Sequence, residues 1–117
     1  MKHDCIFCKI ANKEIKSDII YENDNFITFP DAHPKVKGHC LVVSKKHFVN
    51  ILDMPSTLGT ELLDAVKNTL DIKTKEDKTI EGFNLVQNNF PAAGQLVMHA
   101  HFHILPRRKG DGFNLKL

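Results

Sequence analysis

Eight residues near the C-terminus constrain this chain more than any others: Met98-His99-Ala100-His101-Phe102-His103-Ile104-Leu105. Alternate residues of a strand share one face, with same-face neighbours about 7 Å apart. An extended conformation therefore sorts the segment into an apolar face (Met98, Ala100, Phe102, Ile104) and a face of three imidazoles. The apolar face can anchor the strand in a core. Imidazole is the side chain that can attack, bind metal or pass protons near neutral pH. A solvated surface strand, a metal-binding face and a catalytic array all fit this pattern.

The rest of the chain supplies partners for such a strand. Residues 5–11 suit a short helix with Ile6, Phe7 and Ile10 as its apolar set. Residues 18–21 and 25–29 read as strands, joined by the turn-forming Glu22-Asn23-Asp24. A loop with two prolines leads into a third strand at 38–44. Pro55-Ser56 opens a long helix, with Ser56 as N-cap and Leu58, Leu62, Val66 and Leu70 as its apolar stripe. The charged run 73–78 is its solvated end. Residues 82–88 alternate as a fourth strand with Phe83 and Leu85 on one face. The histidine strand follows a loop at 89–95 and stops at Pro106, with a short last strand expected at Gly112-Phe113. The pattern predicts an α+β fold: an antiparallel sheet of about five strands, one long helix and a short N-terminal helix. A length of 117 residues suits a single domain over 1–117.

Charge and apolar patterning narrow the function classes. A formal net charge of +2 gives no argument for nucleic acid or a membrane surface as partner. No apolar run is long enough to span a bilayer. The opening MKHDCIFCKI lacks a signal-peptide apolar region. Three cysteines cannot all pair within the chain, so reduced thiols and a cytoplasmic location are expected.

Phosphate chemistry suits the histidine face. A neutral imidazole nitrogen can attack phosphorus while its neighbours donate to the developing charge. His101, flanked on both sides, is the natural nucleophile. The preceding loop, Pro91-Ala92-Ala93-Gly94-Gln95, has small residues that let backbone amides approach a phosphate, and Gln95 can hydrogen-bond it. No carboxylate flanks the triad to complete a hydrolytic metal centre.

The run Gly94-Gln95-x-x-x-His99-x-His101-x-His103-Ile104-Leu105-Pro106 resembles the signature of the histidine-triad (HIT) superfamily. Further blocks resemble it in the same order: Ile6-Phe7-x-Lys9-Ile10, Phe29-x-Asp31, Gly38-His39-x-Leu41-Val42-Val43-x-Lys45-Lys46-His47, and Gly82-Phe83-Asn84-Leu85-Val86-x-Asn88. The resemblance is to the Hint-like and Fhit-like branches. It implies a HIT-like fold and a homodimer. It implies that His101 attacks the α-phosphate of a purine nucleotide while His103 and His39 hold phosphate oxygens. Asp31 would bind the ribose hydroxyls, and Asn88 and Gln95 would position ribose and phosphate. Ile6, Phe7, Ile10 and Phe29 would line the base pocket. Leu96 departs from the Hint-like pattern, which usually has Ser or Thr there.

Cys5-x-x-Cys8 is a zinc signal that needs two further ligands. The resemblance supplies them as His47 and His99, giving a closed structural zinc site. Cys40 reads as a core residue, and His3 and His33 as surface residues. The sequence thus points to a nucleotide hydrolase or transferase cleaving the α-phosphate bond of a nucleoside 5′-phosphate derivative, a phosphoramidate or dinucleoside polyphosphate. The alternatives are a zinc-stabilised nucleotide-binding or signalling module with little turnover, and a metal-handling protein.

Overall fold

In a computed structural model, residues 4–117 are described; His3 lies outside them. Five strands form one antiparallel sheet in the order β1-β2-β3-β5-β4. They are β1 (Tyr21–Glu22), β2 (Phe26–Pro30), β3 (Cys40–Ser44), β4 (Gly82–Val86) and β5 (His101–Arg107). The two helices are α1 (Ile6–Ala11) and α2 (Gly59–Glu76). The expected α+β architecture is the one observed.

Side-chain alternation divides the sheet into two cores. Phe26, Cys40, Val42, Phe102 and Ile104 face α2, where Ala65 and Val66 meet them. Ile27, Phe29, Leu41 and Val43 face the other way and are capped by Phe7 and Ala11 of α1. His101 pairs with Val43 and His103 with Leu41, so both imidazoles stand on the α1 side. Cys40 is fully buried on the α2 side, as expected. Inside that core, Thr69 of α2 donates its hydroxyl to Thr28 of β2.

Several boundaries differ from the sequence reading. The first strand shrinks to Tyr21–Glu22, although the Ile20 amide still donates to the Thr28 carbonyl. Ser56 does not cap α2; it opens a 3-10 turn that delivers the chain to Gly59. Pro106 does not end β5, which runs on to Arg107. The last β3 partner is opposite Ile104, so beyond that point one side of β5 has no neighbour and a missing N–H is tolerated. No strand forms at Gly112-Phe113. There the Phe113 carbonyl accepts from Arg107, whose guanidinium also lies over the Phe113 ring.

The triad itself is split. β5 starts at His101, and His99 belongs to the segment leading into it. The Ala100 amide is spent on the Phe48 carbonyl, 2.7 Å away. His99 is fully buried.

Candidate active site and metal centre

The backbone fixes the proton on each imidazole. His101 Nδ1 lies 2.7 Å from the His99 carbonyl oxygen. A carbonyl only accepts, so in the neutral ring Nδ1 carries the hydrogen and Nε2 the lone pair. His39 is set from the other end. The Lys35 amide donates to its Nδ1 at 3.1 Å, which puts the hydrogen on Nε2. That Nε2–H donates to His103 Nδ1 at 2.9 Å, leaving His103 Nε2 as a free donor. A relay running from Lys35 through His39 to His103 therefore places a donor beside a ring with a free lone pair. The His101 and His103 ring centres are 5.2 Å apart.

Burial keeps these rings neutral. It pushes His103 down to about 4, helped by the neighbouring His101 and His39 and opposed by Asp31. His101 and His39 are lowered for the same leading reason, with Asp31 pulling both back up. An uncharged His101 keeps its lone pair at neutral pH.

These groups open into a cavity of about 860 Å³. Ile6, Phe7, Ile10, Phe29 and Leu41 form its apolar wall, and Asp31, Asn88, His101 and His103 line it as well. The Phe7 ring packs edge-on against both Phe29 and His101. Every residue expected in the base pocket is in this wall. His39 stands behind His103 as its partner. Gln95 does not line the cavity. Its side chain is 2 % exposed and turned inward, accepting from the Phe90 amide and donating to the Val49 and Val97 carbonyls. It shapes the loop rather than facing a ligand. Gly94 takes a left-handed φ of +93°, and an added Cβ would sit 3.5 Å from the Asn88 side-chain Nδ2. His33 is exposed, as expected, but stands at the cavity rim with its amide on Asp31 Oδ1. Lys16 and Lys35 also line the cavity. No local pattern in the sequence singles out these two lysines.

A second cluster lies across α1. Ligand atoms of Cys5, Cys8, His47 and His99 all fall within 4.8 Å of one another. His99 Nδ1 is 3.2 Å from Cys5 Sγ and 3.5 Å from Cys8 Sγ, and His47 Nδ1 is 3.3 Å from Cys8 Sγ. A tetrahedral ion with ordinary metal–sulfur and metal–nitrogen bonds gives a sulfur–nitrogen edge of about 3.5 Å. His99 Nε2–H donates to the Ser44 carbonyl at 2.6 Å, which turns the Nδ1 lone pair toward the thiols. Such outer hydrogen bonds orient metal-ligating histidines. The four residues fit a metal ion. Ser44 escaped the sequence reading because its contribution is a backbone carbonyl.

Asp31, His39 and His103 also sit within reach of one another. They do not fit an ion. The Lys35 amide occupies His39 Nδ1, so His39 Nε2 holds the hydrogen and has no lone pair to give.

The HIT domain profile matches residues 12–110. The chain belongs to the HIT family. An uncharacterised HIT-like protein from Methanocaldococcus jannaschii is 44% identical over 108 residues, covering 92% of this chain and 82% of its own. A crystal structure of a Streptococcus mutans protein superposes with a TM-score of 0.91 at 36% identity, covering 100% of this chain and 74% of that one. The Candida albicans relative named adenosine 5′-monophosphoramidase is 36% identical over 107 residues, covering 89% of this chain and 70% of its own. This HIT chain has no helix, among the described residues, long and apolar enough to cross a membrane.

Proposed function

We propose that this HIT protein is a nucleotide hydrolase or transferase that cleaves the α-phosphate bond of a purine nucleoside 5′-phosphate derivative. The observation that carries the reading is the directed relay. It leaves one lone pair, on His101 Nε2, beside one free donor, on His103 Nε2. The phosphoramidase name of the Candida relative supports the substrate class.

The purine lies against Ile6, Phe7, Ile10 and Phe29, and the Asp31 carboxylate accepts from the ribose diol. Asn88 reaches the ribose and phosphate side of the cavity, while Gln95 holds the loop that carries them. His101 Nε2 attacks phosphorus. A nitrogen–phosphorus bond forms, and the leaving group departs with the bonding pair and takes a proton from solvent, which the water of the second step returns. The ring becomes cationic, and the His99 carbonyl bonded to Nδ1–H stabilises that charge. His103 donates to a phosphate oxygen, with His39 holding its tautomer. Water then attacks phosphorus, the nitrogen–phosphorus bond breaks, and His101 is returned with the nucleoside monophosphate.

The two-thiol, two-imidazole donor set is the chemistry of a structural zinc. Cys5, Cys8, His47 and His99 would hold it. Bound there, it would clip α1, and with it Phe7, to the strand carrying His101. Reduced thiols of this kind suit the cytoplasm. A homodimer suits the sheet edge at β4, where Phe83 and Leu85 are half exposed.

The deciding experiment is mass spectrometry of protein quenched during turnover of adenosine 5′-phosphoramidate. An adenylyl adduct on His101 is expected. Turnover with no adduct, or an adduct on another residue, sinks the mechanism. A protein that binds AMP but turns nothing over is the signalling module instead.

A further inference from the structure

Arg108 is the first residue past β5, and it does not line the nucleotide cavity. It borders a separate space of about 360 Å³ with Lys37, Lys73, Asp77 and Ile80, and no lining residue is common to the two. Its side chain is 15 % exposed and its fork is fully engaged. Nε donates to the Thr79 hydroxyl at 2.9 Å, and one terminal nitrogen donates to the Asp77 carboxylate at 2.6 Å. The other donates to the Lys37 carbonyl at 3.0 Å and, at 3.4 Å, to the Pro106 carbonyl. Asp77 is the C-cap of α2. A planar guanidinium therefore ties the loop before β3 to the ends of α2 and β5, a set of directions that an ammonium cannot reproduce.

The Lys37 carbonyl belongs to the turn that starts the relay. The His39 amide donates to the Val36 carbonyl at 3.1 Å, and Gly38 turns the chain with φ +88° against the Pro106 ring. Buried Val36 fixes the inner side of the turn. Its outer side is held by Arg108, since the Lys35 side chain is exposed and Lys37 Nζ reaches only the same Asp77, at 3.7 Å. Within this turn the Lys35 amide meets His39 Nδ1. Asp31 does not choose the direction of the relay. Its Oδ2 is 3.5 Å from His39 Nε2 and 3.9 Å from His103 Nδ1, so a hydrogen on either nitrogen satisfies it. The direction comes from the Lys35 amide. With that amide displaced, His39 can carry its hydrogen on Nδ1, and His103 then donates from Nδ1 back to His39. His103 Nε2 is left with a lone pair where a phosphate oxygen needs a donor.

We propose that Arg108 is a positioning residue for the relay: by holding the Lys37 carbonyl it keeps the Lys35 amide on His39 Nδ1, and so keeps a donor on His103 Nε2. The consequence for turnover rests on the hydrolase reading above. The consequence for the tautomer stands apart from it.

Two-bond proton–nitrogen NMR of the imidazoles reads which nitrogen carries the hydrogen, with no substrate present. In the wild type His39 and His103 should both hold it on Nε2. One ordinary hydrogen bond is a bias of about tenfold. Arg108→Gln should therefore shift the His39 ratio about tenfold toward Nδ1. Arg108→Lys keeps the charge and loses the fork, and should shift it the same way; it carries the test if Arg108→Gln fails to fold. On adenosine 5′-phosphoramidate both variants should lower kcat about two- to threefold while KM stays within about twofold. Arg107→Gln is the control. Arg107 holds Asp111, Asn84 and the Phe113 carbonyl at the same end of β5, so its loss breaks comparable bonds away from the turn. It should leave the His39 ratio and kcat unchanged. A His39 ratio that stays put in the Arg108 variants overturns the inference, with or without turnover. An equal shift in Arg107→Gln overturns it too, as does a wild-type His39 with its hydrogen on Nδ1. A shifted ratio with kcat unchanged in an active protein removes the role in turnover. The shift without turnover in any variant or the wild type keeps the positioning role and removes the hydrolase.

Discussion

Replacing Cys8 by Ser tests whether the four-residue cluster holds the N-terminal segment in place. The side chain is almost wholly buried, and its Sγ faces both His47 Nδ1 and His99 Nδ1. The helix it sits on is only six residues long, far too short to be stable alone. Its N-cap is a long 3.4 Å contact from the Cys8 amide to Cys5 Sγ. Order in α1 must therefore come from Phe7, seated against Phe29 and His101, and, on the proposed zinc reading, from an ion in the four-residue cluster. An ion present at about a thousand times its Kd stabilises the folded chain by about 4 kcal/mol. For a chain of this size, 1 kcal/mol moves Tm by about 3–5 °C, so Cys8→Ser should melt about 12–20 °C lower. The assays are elemental analysis after dialysis and a circular-dichroism melt, with Cys40→Ala as the control. Cys40 lies on the opposite face of the sheet and should keep the ion. One tightly held zinc per chain is expected in the wild type and the control. A wild type that takes up no ion after refolding with zinc refutes the reasoning, as does a Cys8→Ser melt within about 2 °C of wild type.

His101→Asn should lower kcat on adenosine 5′-phosphoramidate by at least about 10³-fold while AMP affinity, measured by calorimetry, changes less than about threefold. His103 should make stability depend on pH. Its folded value is held near 4 by burial, while the unfolded imidazole titrates near 6.5, so the unfolded chain binds more protons between those values. Its contribution is fully present above about pH 6.5 and is lost as pH falls toward 4. The loss it contributes between pH 7 and 5 is about 2 kcal/mol, read from urea midpoints as the difference between wild type and His103→Gln. Leu85→Lys, placed on the exposed face of the edge strand, should convert a dimer to a monomer by light scattering. A wild type that is already monomeric removes that prediction's premise and the dimer with it.

Short apolar runs bounded by turn residues made the strands legible. Phe26–Pro30, Cys40–Ser44 and His101–Arg107 are buried along almost their whole length, because the sheet carries a core on each face. The boundaries were less legible because they depend on partners far along the chain. Whether Pro106 ends a strand depends on where β3 begins, and β3 lies more than sixty residues earlier. The start of α2 was misplaced for a local reason: Pro55 and Ser56 suit a 3-10 turn as well as a helix start. Among site residues, side chains with chemistry of their own were visible: the histidines, Asp31 and the cysteine pair. The groups that set their protons were not. They are the Lys35 amide and the carbonyls of Ser44 and His99, and main-chain atoms leave no mark on a sequence.

His99 belongs to two sites at once. Its ring is turned into the cysteine cluster, and its own carbonyl holds the proton on His101. The side-chain half of this residue can be edited by mutation and the main-chain half cannot. A substitution at 99 that abolishes activity would therefore be ambiguous, since loss of the ring and drift of the carbonyl arrive together. The position is a mechanical joint between the cluster and the nucleophile, less than one residue long, and strain on either side of it has no slack in which to dissipate.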